Sequence, residues 1–370
     1  MTDNKRLLSL DFFRGITIAA MILVNNPGSW SDVYPPLLHA DWHGWTFTDL
    51  IFPYFLFIVG VSITLAFSTK KENHTDRGIL YRKIIRRTLL LFALGLFLSG
   101  FPFFDLTNIR IPGVLQRIAV CYFFATVIFL HGGIRAQLAW AFGLMLVYWA
   151  AMEWFPVPEV GPGSYEKGAN LSAWIDKLLL HGHMWSQTKT WDPEGIFSTL
   201  PAISTTLFGV VTGQLLRLKI PALKKVQLML VYGGIAIAIG LAWHQWLPIN
   251  KNLWTSSYAL FMSGMAMMTL AVSYYLIDIR GWQKATLPFR VYGMNAITVF
   301  VLSGVVARIL YLVKWPSGED MITLKQWLMN TFFTPWLSPV NASLAFALCF
   351  VFISYLAMYY LYKKHIFIKI

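Results

Sequence analysis

Apolar runs about as long as a bilayer-crossing helix recur along the whole chain, divided by short polar stretches. A helix needs about 20 mostly apolar residues to cross a hydrocarbon core. Runs that approach this length are Leu10–Asn25, Asp49–Phe67, Thr88–Phe104, Val114–Leu130, Leu138–Phe155, Phe197–Leu216, Val226–Leu247, Ser257–Ile277, Val291–Val313 and Leu344–Leu361. They predict an all-α, polytopic transmembrane helix bundle of about ten spans, read as a single domain over residues 1–370. No internal repeat stands out. The first run carries Asp11 and Arg14 and lacks a small-residue cleavage site, so no cleavable signal peptide is expected.

Composition agrees. Hydrophobic residues make up 57% of the chain and charged residues 13%, against about 25% charged in soluble domains. The 16 Trp, 16 Tyr and 28 Phe suit rings that anchor helix ends in the headgroup layer. Cys121 and Cys349 both fall inside apolar runs and read as small buried hydrophobes.

A formal charge of +13 raises the question of nucleic acid, and the location of the basic residues answers it. With the N-terminus in the cytoplasm, most Lys and Arg fall on inner segments. These are Lys5, Arg6 and Arg14; Lys70 to Arg87; Arg135; Arg217 to Lys225; Arg280 to Arg290; and Lys363, Lys364 and Lys369. That is the positive-inside pattern. It predicts a multi-pass protein of the plasma (inner) membrane with both termini cytoplasmic, contacting lipid rather than nucleic acid. The outer segments Asn26–Thr48, Pro156–Ile196 and Lys314–Val340 are long and poor in Lys and Arg. Long loops of this kind usually carry function.

Four clusters carry candidate chemistry. Asn25, Asn26, His39, Asp41, His43 and Asp49 gather around the first outer loop among Trp30, Trp42 and Trp45. They read either as a wet interfacial loop or as an active site whose histidine accepts a proton. His39 and His43 have metal-pair spacing if helical, but no His-Glu-x2-His pattern is present and no metal is assigned. Inside the spans, Asp11 and Arg14 share a helix face, and Gln116 and Arg117 open the fourth span. The basic run with Arg82, Arg86 and Arg87 suits anionic lipid or a phosphorylated cofactor, and no Walker loop occurs. Finally, Trp191-Asp-Pro-Glu-Gly195 reads as a helix start with Asp192 as cap, and Glu194 is a second acid at the same mouth.

Seven stretches then fall in one order. They are Ser9-Leu-Asp-Phe-Phe-Arg-Gly15; Leu23-Val-Asn25; His39-Ala-Asp-Trp-His-Gly-Trp-Thr-Phe-Thr-Asp49 running into Phe52-Pro-Tyr-Phe-Leu-Phe-Ile-Val-Gly60; Arg110-Ile-Pro-Gly-Val-Leu-Gln-Arg117; Asp192-Pro-Glu-Gly195; Lys251-Asn-Leu-Trp-Thr-Ser-Ser-Tyr258; and Gly293-Met-Asn295. In this order the chain resembles the heparan-α-glucosaminide N-acetyltransferase family. The resemblance implies that acetyl-CoA enters from the cytoplasm and that its acetyl group passes to a glucosamine amine across the membrane. It matches His39 to the family's catalytic histidine and Asn25 to the asparagine beside it. Lysosomal members carry an extra lumenal domain and helix before this region, so a short bacterial-type member is expected to act on free glucosamine or an amino-sugar fragment.

The chemistry fits that expectation. An amine attacks a thioester only as its free base, and a neutral imidazole, reference pKa about 6.5, can take the proton. Asn25 suits the developing oxyanion. Arg14, Arg82, Arg86, Arg87 and Gln116 are the expected donor-binding residues; Asp41, Trp42, His43, Asp49, Asp192, Glu194 and Asn295 are expected on the acceptor. Inner arginines and outer imidazole lie across about 30 Å of hydrocarbon, so a polar tunnel lined by Asp11, Gln116 and Asn295 is predicted. General-base and acetyl-histidine routes are both open, and a homodimer is compatible with the sequence. The competing readings are a sugar or solute transporter without chemistry, and a glycan O-acyltransferase.

Overall fold

The computed structural model describes residues 7–317 and 320–368; Lys5, Arg6 and Lys369 of the charge pattern lie outside the described residues. Its helices are α1 (Leu8–Asn25), α2 (Ile51–Glu72), α3 (Arg77–Gly100), α4 (Val114–His131), α5 (Ile134–Trp154), α6 (Leu171–Leu180), α7 (Thr199–Arg217), α8 (Ala222–Trp243), α9 (Ser256–Tyr274), α10 (Leu287–Met294), α11 (Ala296–Leu312), α12 (Leu324–Phe332) and α13 (Pro339–Lys363). One antiparallel pair, β1 (Lys314–Ser317) with β2 (Asp320–Thr323), aligns Lys314 with Thr323. The all-α class is therefore observed.

Among the described residues, eight helices are individually long and apolar enough to cross a membrane, and the bent pair α10–α11 supplies one more. The remaining expected span, Thr88–Phe104, lies largely within α3. This helix starts earlier than its apolar run because Asp76 caps it, accepting from the Gly78 N–H at 2.8 Å. Its first turns are consequently basic rather than apolar.

The expected single span Val291–Val313 is broken. Helices α10 and α11 meet at 84° around Asn295. The Asn295 amide does not stay within the helix: its Nδ2 donates to Ile366 O at 3.1 Å, and its Oδ1 accepts from Ile368 N–H at 2.9 Å. Two segments expected as irregular also hold helices. Asn170 caps α6 through the Ala173 N–H, and Thr323 with Gln326 forms a capping box on α12.

Backbone contacts divide the chain into two compact units. The first comprises Met1–His39, Thr46–Ile51 and Leu276–Ile370; the second comprises Ala40–Trp45 and Phe52–Tyr275. In the first, α1 packs on α10, α11 and α13. No side chain of Leu7 caps α1; instead Asp278 accepts from the Leu8 and Ser9 N–H groups at 3.2 and 3.1 Å. The α1–α10 contact is backbone on backbone. A Cβ on Gly293 would lie 2.0 Å from Asp11 O, and one on Gly15 would lie 1.7 Å from Phe289 O. Such close approach of small residues is how helices gain dispersion and polar contact in lipid, where no water drives them together. In the second unit, α8 packs on α9, α3 on α4, and α7 against α4, α5 and α9.

Gly293→Ala should therefore lower the thermal unfolding midpoint in detergent by several degrees, since overpacking costs about 1–3 kcal/mol. Gly234→Ala, where the added Cβ meets nothing within 4 Å, should leave the midpoint unchanged or raise it.

Candidate active site

The apolar helix that begins with α2 is entered through a short 3-10 turn, Phe47–Leu50, whose cap residue is Thr46. The Thr46 N–H donates to Asp49 Oδ2 at 2.9 Å, the reciprocal arm of a capping box. This fixes the Asp49 carboxylate, which is 1% exposed, at the head of a rigid element. Its other oxygen lies 2.6 Å from His39 Nδ1. An ionised carboxylate only accepts, so Nδ1 carries the hydrogen and Nε2 is the nitrogen that takes up a proton. The His39 side chain is 47% exposed, which leaves the ring within reach of a ligand. Asp49, expected on the acceptor, is thus the group that orients the histidine. The sequence held that signal in Thr46-x2-Asp49 ahead of an apolar run.

Asn25 ends α1 and is exposed, and α1 packs against the Phe47–Leu50 turn within the same unit. Its neighbour Asn26 is buried and donates to Ile22 O at 2.7 Å, a C-terminal fastening of α1. Arg14, half-buried in this unit, pairs with Asp11 at 3.3 Å and donates to Gly293 O at 3.2 Å. Asn295, expected on the acceptor and along a tunnel, is buried at the helix break and bonded to the 366–368 backbone.

The second unit holds the other expected residues. Asp41 is exposed; the Trp42 Nε1–H donates to Tyr165 O at 2.8 Å, and its ring meets Trp191 edge-on at 5.1 Å. His43 lies 3.4 Å from Asn250 Nδ2. Burial holds the His43 imidazole below its usual range, Glu166 opposing and His244 adding to the effect. The chain from His39 to His43 is not helical, so metal-pair spacing on one helix face does not form.

Asp192 and Glu194 sit in a polar network that sequence reasoning did not anticipate. Arg110 donates to Asp192 through Nε at 2.8 Å and Nη2 at 2.6 Å, and to Glu194 through Nη2. Asp192 does not cap a span: α7 begins at Thr199 after Ser198. Asp192 instead accepts from the Trp185 and Glu194 N–H groups, each at 2.9 Å, and closes its own loop. Beneath it Arg117, fully withdrawn from solvent, donates to Gly195 O at 2.9 Å and to Ser198 Oγ, and lies 5.2 Å from the Trp254 ring centre. Asp176 of α6 accepts from the Ile196 and Asp192 N–H groups at 2.9 and 3.3 Å. Only a glycine at 195 permits this, because a Cβ there would come 2.0 Å from Asp176 Oδ2.

The electrostatics follow the packing. Burial opposes ionisation of Glu194, yet Arg110, Lys251 and Arg117 outweigh it and hold the carboxyl below its usual range. Burial also opposes the charge on Arg110, and its two carboxylates reverse that effect and raise it. Asp176 is pushed up to about 6 chiefly by burial, with Asp192 adding to the rise and Arg117 and the two backbone N–H groups opposing.

On α3, Arg82 and Arg86 are exposed, and Arg87 lies over the Tyr122 ring of α4 at 4.7 Å. Gln116 is buried where α4 meets Gly95 of α3 and Gly113. Arg87 Nε and Gln116 Nε2 are buried donors without an acceptor among the described residues. Polar donors so placed suit a ligand rich in phosphate and amide oxygens.

The motifs that the sequence showed in order thus meet in space within the second unit: Arg110 to Arg117, Asp192 to Gly195, and Trp254. A family model described as heparan-alpha-glucosaminide N-acetyltransferase, catalytic, matches residues 6–240. The heparan-alpha-glucosaminide N-acetyltransferase of Homo sapiens is 32% identical, the match covering 80% of this chain and 52% of that protein. The chain belongs to this family. The Mus musculus protein of the same name is 28% identical over 100% of the chain and 61% of its own length. The chain thus spans between about half and three-fifths of the relatives it matches. The family match includes His39, Asp49, Arg110, Arg117 and Asp192.

Two outcomes follow from the ion-pair network. Arg110→Met strands two buried carboxylates and should cost about 3–5 kcal/mol, read as a large fall in unfolding midpoint; restoring the charge with Lys should recover only part, because Arg110 binds Asp192 through two N–H groups. Asp176 favours the fold when protonated, since its folded pKa exceeds the 3.8 reference value. Its contribution should therefore fall as pH rises from about 4 to about 6 and stay flat above. Asp176→Asn should remove that slope from the midpoint-against-pH curve.

Proposed function

We propose that this chain is a membrane-embedded N-acetyltransferase that moves an acetyl group from acetyl-CoA to the amine of glucosamine or a related amino sugar. The observation that carries the reading is the 2.6 Å contact between His39 Nδ1 and the buried Asp49 carboxylate. A carboxylate that holds one imidazole nitrogen as donor makes the other a proton acceptor and steadies the imidazolium once formed. His39 Nε2 takes the proton of the attacking amine, so that nitrogen reaches the thioester carbonyl as a nucleophile. The new N–C bond forms as the C–S bond breaks, and the His39 imidazolium returns its proton to the departing sulfur, so that CoA leaves as its thiol and the imidazole is neutral again. The amide of Asn25 is assigned to the carbonyl oxygen, where charge develops.

Arg87 and Gln116 on the packed α3–α4 pair, with Arg82 and Arg86 on the exposed side of α3, are assigned to the phosphates and amides of the donor. Arg14, paired with Asp11, keeps its assignment to donor binding from the sequence. Asp41, Trp42 and His43 are assigned to the sugar, whereas Asp192 and Glu194 act through Arg110 as supports of the loop that carries them. The basic segments support an inner-membrane protein with cytoplasmic termini, the donor entering from the cytoplasm and the acceptor lying outside. Membership of the family supports the amino-sugar acceptor.

The test uses purified protein in detergent with acetyl-CoA and glucosamine. His39→Ala should lower kcat by about 10²–10⁴ while CoA binding is retained. Asp49→Asn should lower kcat by at least about 10² with little change in the KM for acetyl-CoA, because the tautomer is lost rather than the donor site. Activity within a few-fold of wild type in His39→Ala would remove the base from the mechanism.

A further inference from the structure

A cavity of about 180 Å³ opens where α2 ends, α3 begins and α4 ends. It lies within the second unit and takes no part in the groups assigned above. Its lining includes Lys70, Lys71, His74, Arg77, Tyr81 and His131. The volume far exceeds the roughly 10–15 Å³ that one water needs, so a phosphoryl group fits.

The lining is cationic and partly pre-set. Lys71 Nζ donates to Phe129 O near the end of α4 and to Gly132 O just beyond it, at 2.5 and 2.8 Å, and lies 4.9 Å from the Phe129 ring centre. Lys70 is half-buried beside the Phe67 ring at 5.1 Å, which restricts its stem while its ammonium stays at the cavity. Tyr81 Oη and His131 Nε2 are 2.6 Å apart, closing one wall between α3 and α4. The acid in the lining, Asp76, is engaged with the Gly78 N–H. Lys70, Lys71 and Arg77 against Asp76 leave two positive charges, before either histidine is counted. A phosphomonoester carries about −1.5 to −2 at neutral pH and matches that excess.

The position also matters. Glu72 and His131 end two helices long and apolar enough to cross a membrane, so the cavity sits at headgroup depth. We propose that it is a phosphomonoester-binding site, filled by the headgroup of an anionic phospholipid or by a soluble phosphate compound. Leu80 and Leu130 are the apolar members of its lining.

The experiment labels Lys70 with an amine-reactive ester in detergent-purified protein, reading modification by mass spectrometry. The probes are short-chain phosphatidic acid, phosphatidylcholine, inorganic phosphate and CoA. Phosphatidic acid should protect Lys70 where phosphatidylcholine does not. The double variant Lys70→Gln, Arg77→Gln should weaken phosphatidic acid binding at least about tenfold, whereas Lys224→Gln, an exposed cation on α8, should not. Protection by phosphatidic acid alone identifies the lipid as the source; protection also by inorganic phosphate or CoA identifies the phosphoryl group itself. No protection by any of the three phosphates overturns the proposal. Equal weakening in Lys224→Gln overturns it too, since the effect would then be general surface charge. Because protection is read on the wild type, a double variant that fails to fold does not decide the outcome.

Discussion

A charged group taken out of water must find its counter-charge and its hydrogen-bond partners inside the protein, and this demand organises the structure. An isolated ion in a low-dielectric interior costs several kcal/mol even after relaxation. Asp49, Asp176, Asp192, Glu194 and Arg117 are all withdrawn from solvent. The acids are answered directly, Asp49 by His39 and Thr46, the 192–194 acids by Arg110 and Asp176 by two backbone N–H groups. Arg117 is answered in part: its Nη2 donates to Gly195 and Ser198 and its guanidinium faces Trp254, while its Nε and Nη1 meet no acceptor among the described residues. Because each answer is directional, satisfying the charges also fixes loop conformation and ring orientation. The geometry of the His39–Asp49 pair is a by-product of paying for burial.

The device that shapes the His39 site is ordinary helix capping. Asp49 would suit an N-terminal turn in any protein, holding a cap residue's N–H and meeting the positive end of the helix. Here the second carboxylate oxygen is directed to an imidazole. One side chain therefore starts a helix and selects a tautomer. The network around Arg110 works differently. It ties the loop from Trp185 to Ser198 to α4 and α6.

Small residues set the remaining architecture of the first unit. With glycines at 15 and 293, α1 and α10 approach until backbone meets backbone. Helix α10 is held against α1, and the chain turns through 84° at Asn295. The turn exposes backbone groups that a straight helix would have satisfied, and irregular backbone at membrane depth is tolerated only where protein or a polar cavity covers it. Here the 366–368 segment supplies part of that cover through the Asn295 amide.

Hydrophobic run length alone determined the class of fold, because a bilayer admits almost nothing but helices for runs of this kind. The order of the motifs was equally legible, and it carried the family. Helix starts were less so: α3 begins at a cap upstream of its apolar run, and Val291–Val313 is two helices because Gly293 and Asn295 answer to α1 and the chain end, not to local propensity. The pairing of His39 with Asp49 needed folding of a loop onto a capped turn. The link of Arg110 to Asp192 and Glu194 needed segments some eighty positions apart to meet. Patterning records what each residue prefers as a solvent; only tertiary structure decides which buried charge answers which.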